Sequence, residues 1–228
     1  MNPILFLHGA LGTAEQLLPL TTDLNDNNRI HRLTFEGHGE MVRKERSFRI
    51  EYFAENTLSY MDKNGIDQAD FFGYSMGGYV ALYLSKYHPE RVGRIATLGT
   101  VLKWSPEKSA AETAFLDTDK IEEKVPKFAH MLEKQHSEDW KKVVLKTKEL
   151  LTHLGKNPNI SDSEWKGIKH PIRIHIGDRD TTADLNATVQ IYHEIPNAQL
   201  VVLPDSHHPI HKASMEIIVQ SLNEFLRL

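Results

Sequence analysis

The chain has no cysteine, which excludes disulfides, thiolate metal sites and a cysteine nucleophile. It has no basic excess either: the formal net charge is -4 and the pI about 6.3, so the electrostatic footprint of a nucleic-acid or anionic-membrane binder is missing. Neither partner is expected. No apolar run approaches the length of a membrane span, and the opening Ile4-Leu5-Phe6-Leu7 is too short, and too bare of flanking basic residues, for a signal peptide. The expected location is the cytoplasm. Arginine is absent from the whole stretch between Ile95 and Ile172. That gap matters for which substrates can be held.

The residues present describe a globular protein. With 228 residues, 40% of them hydrophobic, the chain can bury one sizeable core, as one domain or one domain with an insertion. The stretch that organises the rest is Gly73-Tyr74-Ser75-Met76-Gly77-Gly78, between the apolar run Ala69 to Phe72 and the helical pattern Val80 to Leu84. G-x-S-x-G in that setting reads as a nucleophile elbow, where small residues two places either side of the serine allow a tight turn. Ser75 is the candidate nucleophile. The first turn of the following helix, with the N–H of Met76, favours an oxyanion beside it.

Apolar runs with helical patterns between them predict a parallel sheet: Ile4 to Leu7, Ile30 to Phe35, Ala69 to Phe72, Val92 to Leu98, His170 to Ile176 and Gln199 to Leu203. The fold class is therefore α/β, with about six mostly parallel strands flanked by helices. A polar loop is expected after Gly39, running through Arg46. The alternation breaks between Val101 and Lys166, where four helix-like segments succeed one another. Ser105-Pro106 opens the first; Ile121, Val125, Phe128 and Leu132 mark one helix; the stripe from Trp140 to Leu154 is closed by Gly155; Ser161 and Glu164 read as a capping box for the last. Residues 101–166 are thus expected to be a helical cap, on a core of residues 1–100 and 167–228.

Four turns come directly after predicted strands: His8-Gly9-Ala10, the elbow, Gly177-Asp178-Arg179-Asp180, and Ser206-His207-His208-Pro209. In that order they resemble the α/β-hydrolase superfamily, closest to its capped esterase and carbon–carbon hydrolase branch, over nearly the whole chain. The resemblance implies a Ser…Asp…His order along one edge of the sheet. It places Asp180 as the orienting carboxylate, with Asp178 as its rival, and His207 as the base by alignment with the family's Gly-His-x-Pro, with His208 and His211 as rivals. It assigns the oxyanion hole to the backbone N–H groups of Ala10 and Met76. His8 and His38 are expected to support loops. The family's two antiparallel first strands are expected to be missing, which makes Ile30 to Phe35 an outer strand guarded by Arg29 and Arg32. Thr34, Met41 and Ser206 depart from the family's usual residues. Trp104, Phe115, Phe128, Met131 and Trp140 are candidates for an apolar ceiling.

The expected function is hydrolysis of a small ester, thioester or related acyl substrate through an acyl-serine intermediate, with no cofactor and no metal. A carbon–carbon hydrolase or a lyase of the menaquinone-synthesis type is the alternative. Such substrates carry carboxylates, which arginine holds best, and the stretch without arginine counts against it. A non-catalytic receptor on the same scaffold comes third.

Overall fold

A strand with no polar residue has no face to offer water and needs cover on both sides. Ile4–Leu7 (β1) is such a strand, and all four of its residues are fully buried. In the computed structural model, which describes residues 1–26, 29–41 and 45–228, β1 lies inside a six-stranded sheet of order β2-β1-β3-β4-β5-β6. The other strands are β2 (Ile30–Leu33), β3 (Ala69–Tyr74), β4 (Val92–Leu98), β5 (Ile172–Gly177) and β6 (Ala198–Leu203). Every pairing is parallel. The expected sheet is observed, and part of the expected polar loop through Arg46 lies outside the described residues.

Period-two alternation splits each central strand between two cores. Leu5, Leu7, Phe71 and Ile95 share one cluster with Phe53 of α2 (Ile50–Lys63) and Val80 and Leu84 of α3 (Met76–Tyr87). Ile4, Phe6, Phe72 and Ala96 share the other with Leu20 of α1 (Leu18–Thr22) and Ile218 and Leu222 of α9 (Met215–Leu226). At the outer strand β2, Arg32 donates to Thr21 Oγ1, and Arg29 binds Asp26 and the carbonyls of Asn2 and Arg227. The two arginines tie the edge strand to the body of the protein.

The chain leaves β1 for β2 on one side and returns to β3 on the other. That reversal opens a crevice at the carboxyl ends of β1 and β3, where open α/β sheets hold their ligands. Leu7 is paired with Gly73, so the loops after the two strands start level. His8-Gly9-Ala10 and Ser75 therefore emerge side by side.

Between β4 and β5 run α4 (Pro106–Thr113), α5 (Thr118–Lys124), α6 (Pro126–His136) and α7 (Trp140–Lys156). Ser105 caps α4, its Oγ accepting from Lys108 N at 3.1 Å. Three details of the expected insertion change. Ile121, Val125, Phe128 and Leu132 belong to two helices, because Pro126 bars helical geometry at Val125, which sits at φ -137° and ψ 55°. Gly155 lies inside α7, where a Cβ would come 2.3 Å from Ser109 Cβ; it is there so that α4 and α7 can pack closely. Glu164 accepts from Ser161 N at 2.8 Å as a capping box requires, but in place of a helix the chain makes one 3₁₀ turn, Trp165–Gly167.

Candidate active site

Ser75 sits between β3 and α3 at φ 50° and ψ -115°, backbone that a residue with a Cβ rarely adopts and that costs about 1–3 kcal/mol. Its surroundings enforce the turn. Ser75 N donates to Leu98 O at 2.8 Å, and Thr100 Oγ1 donates to Ser75 O at 3.1 Å. A Cβ on Gly73 would lie 2.3 Å from Gly78 N, and one on Gly77 would lie 2.2 Å from Leu7 O. Met76 opens α3, so its N–H has no partner within the helix.

Asp180 lies just beyond β5. Its Oδ1 accepts from Thr182 N and Ala183 N, both at 2.8 Å, which fixes the carboxylate on its loop. His208 lies beyond β6, and its Nδ1 meets Asp180 Oδ2 at 2.9 Å and Oδ1 at 3.1 Å. With Nδ1–H donating to a carboxylate, the lone pair is left on Nε2. Tyr74 Oη donates to His208 O at 2.9 Å and holds the imidazole loop against the elbow strand. At the end of β4, Gly99 has φ 59°, and a Cβ there would crowd Asp180 Oδ2 at 3.1 Å and His208 Nδ1 at 3.2 Å.

The histidine paired with Asp180 is thus His208, and His207 is exposed, its N–H directed to Lys212 O. The reason is Ser206. Fully buried, it uses Oγ to accept from Ser214 N at 2.9 Å and to donate to Pro204 O at 3.0 Å. With Ser206 pinned inward, His207 turns to solvent and His208 turns back to the crevice. His211 is exposed. Asp178 accepts from Ser206 N at 3.2 Å and so braces this loop from beside Asp180.

A cavity of about 200 Å³ is lined by Ser75, His208, Ala10 and Met76 together. Gln16 also lines it, and its Oε1 accepts from Gly9 N at 3.2 Å, steadying the loop that carries Ala10. The ceiling differs from expectation. Trp104 lines the cavity, but Phe115 is 81% exposed, Met131 is largely exposed, and Phe128 and Trp140 pack inside the insertion with Leu132 and Val144. The lining comes instead from Glu112 of α4, Leu116 after it, and Thr147, Leu151 and Leu154 of α7. Helical periodicity marks the apolar face of α7, and nothing in it says which turn overlies a crevice.

Three buried histidines stand behind the Ala10 loop. His8 donates from Nδ1 to Gly9 O at 2.7 Å and accepts at Nε2 from Phe35 N at 3.1 Å. His38 stacks on Phe48, with ring centroids 4.7 Å apart, and approaches both His8 and His136. His136, at the end of α6, accepts from Gly39 N at 2.9 Å through Nδ1 and bonds Leu11 O at 3.0 Å through Nε2. A backbone N–H can only donate, so Nδ1 of His136 is bare and Nε2 carries the proton. One side chain of the insertion thereby holds two core loops. His8 and His38 support loops, as expected.

Burial pushes the pKa of His8 down to about 4, and that of His175, fully buried in β5 against Thr97 O and Ser221 Oγ, also to about 4. Burial, then the neighbouring imidazoles of His8 and His136, holds His38 well below 6.5. These rings stay neutral in the fold while an unfolded chain protonates them near 6.5. The stability they contribute is complete above that pH and falls as pH drops from 6.5 towards 4, by about 1.4 kcal/mol per pH unit for each ring. The urea midpoint is expected to be clearly lower at pH 5 than at pH 7.5. An unchanged midpoint contradicts this.

Among the described residues no group of three or more His, Asp or Glu is arranged to hold a metal ion. The family model of the alpha/beta hydrolase fold matches residues 2–132. Esterase YbfF of Escherichia coli is 26% identical over 97 residues, 42% of this chain and 38% of that esterase's length. Among solved structures, an enol-lactonase of Burkholderia xenovorans superposes with a TM-score of 0.78 at 23% identity, over 100% of this chain and 92% of the other. MenH of S. aureus does so at 0.77 and 22%, over 99% and 93%. At such identities the two superpositions speak to the fold alone.

Proposed function

Because the chain belongs to the α/β-hydrolase family, we propose that it is a serine hydrolase that cleaves a small ester, thioester or related acyl substrate through an acyl-serine intermediate. The observation that carries this reading is that His208, paired with Asp180, lines the same cavity as an elbow serine. Ser75 Oγ attacks the carbonyl carbon as His208 Nε2 takes its proton, and Asp180 stabilises the imidazolium that forms. The charge arising on the carbonyl oxygen is received by the N–H groups of Ala10 and Met76. His208 then hands the proton to the leaving group. Water, deprotonated by the same nitrogen, attacks the acyl-serine and releases the acid.

The four inserted helices act as a lid in this proposal, and residues 1–100 with 167–228 form the core beneath it. The setting is cytoplasmic; no described helix is long and apolar enough to cross a membrane. Carbon–carbon bond hydrolysis by the same three residues is the weaker reading, because among the described residues no Lys or Arg lines the cavity to meet a substrate carboxylate.

A fluorophosphonate probe and short 4-nitrophenyl esters test the proposal together. Covalent labelling and ester turnover are expected, and both are expected to vanish in Ser75→Ala, with turnover down by about 10⁴-fold or more. Wild-type protein that is neither labelled nor active overturns it. Labelling with turnover of vinylogous diketones and none of esters favours carbon–carbon chemistry.

A further inference from the structure

We propose that Glu112 makes this site selective for uncharged acyl substrates and sets it against carboxylate-bearing ones. The inference rests on the acyl-hydrolase reading above and names its substrate class. Glu112 stands on α4 and lines the cavity that holds Ser75 and His208. Lys108, one turn earlier, donates from Nζ to Glu112 Oε1 at 2.6 Å and also bonds Thr182 O. Lys108 does not itself line the cavity. Of this ion pair the acid, not the base, is at the cavity wall.

That placement decides the sign of the field a substrate meets. Among the described lining residues no Lys or Arg offers an opposite charge, and the ammonium nearest the cavity, that of Lys108, is already engaged by Glu112 and Thr182 O, so a substrate carboxylate would be desolvated beside Glu112 with no free cation to meet it. A substrate without charge meets no such penalty, and Leu116, Leu151 and Leu154 make the wall around Glu112 apolar. The ceiling thus opposes an anion.

Three 4-nitrophenyl esters of matched length separate charge from size: the hexanoate, the monoester of adipic acid, and the same adipate with its free acid methylated. Above pH 6.5 the hexanoate and the methylated adipate are expected to react with comparable kcat/KM, and the free adipate at least tenfold more slowly. In Glu112→Gln, Lys108 keeps its bond to Thr182 O and is left with an unbalanced positive charge. The ratio of free to methylated adipate is then expected to rise by tenfold or more. A thermal melt of the variant matching the parent ties that change to charge rather than to misfolding. Equal rates for the free and methylated adipates in the parent overturn the inference, as does a ratio that Glu112→Gln does not move. Loss of all ester turnover and probe labelling in the parent is a different result, since it overturns the acyl-hydrolase reading itself.

Discussion

Replacing His208 with alanine is expected to lower kcat/KM for a 4-nitrophenyl ester by about a thousandfold or more, while His207→Ala stays within about twofold of the parent. The two residues are neighbours, but their side chains meet different surroundings. His208 Nδ1 is 2.9 Å from Asp180 Oδ2, and its ring lines the cavity with Ser75. His207 is exposed and contributes one backbone N–H to its own loop. Under the proposed mechanism alanine at 208 leaves Ser75 with no base and Asp180 without its imidazole partner, whereas alanine at 207 removes only solvated surface. Steady-state kinetics on the two variants decide the matter, and a reversed pattern would make His207 the base after all.

The second large effect falls on Gly77. A Cβ there would stand 2.2 Å from Leu7 O, 2.5 Å from Leu7 C and 2.7 Å from His8 O, all backbone atoms of a central strand and of the loop leading to Ala10. A side chain could swing aside from such a contact; this backbone cannot, because β1 is hydrogen-bonded on both edges, to β2 and β3. Gly77→Ala is expected to cost about 3 kcal/mol or more in urea unfolding, at the upper end of what overpacking does. Any folded fraction is expected to be impaired in turnover, since easing the contact separates Met76 from Ala10. Gly167→Ala is the control, with nothing within 4 Å of the added methyl, and should stay within about 0.5 kcal/mol of the parent. Equal costs at the two positions would defeat the argument.

Much of the sheet is legible in the sequence because its strands are short apolar runs ended by glycine-bearing turns. Ile4 to Leu7 and Val92 to Leu98 are bounded in the structure as the residues suggest. Ser75, Ala10, Met76 and Asp180 are legible for the same reason: each comes at the end of a strand, and parallel strands gather those ends along one edge. The imidazole differs from expectation by one residue. Two adjacent histidines have the same local spacing, and they are separated by the buried Ser206, pinned by Ser214 eight residues further on. The ceiling differs because Phe115, Met131 and Trp140 are large and apolar in sequence, yet size does not tell which side of a helix overlies a crevice. Gln16, Tyr74 and His136 carry no signal at all, since each acts through a partner outside its own local pattern. Glu112 pairs with Lys108 on its own helix, and nothing in that spacing says that it reaches the cavity.

The two hydrogen bonds made by His136 also bear on how the inserted helices and the loop that carries Ala10 depend on each other. Its two partners, Gly39 and Leu11, lie 97 and 125 residues away along the chain. Leu11 stands at φ 60°, one residue beyond Ala10, and the last turn of α6 is what holds its carbonyl. Docking of the inserted helices and the conformation of the Ala10 loop are therefore coupled: whatever shifts the last turn of α6 shifts Leu11 and Gly39 with it.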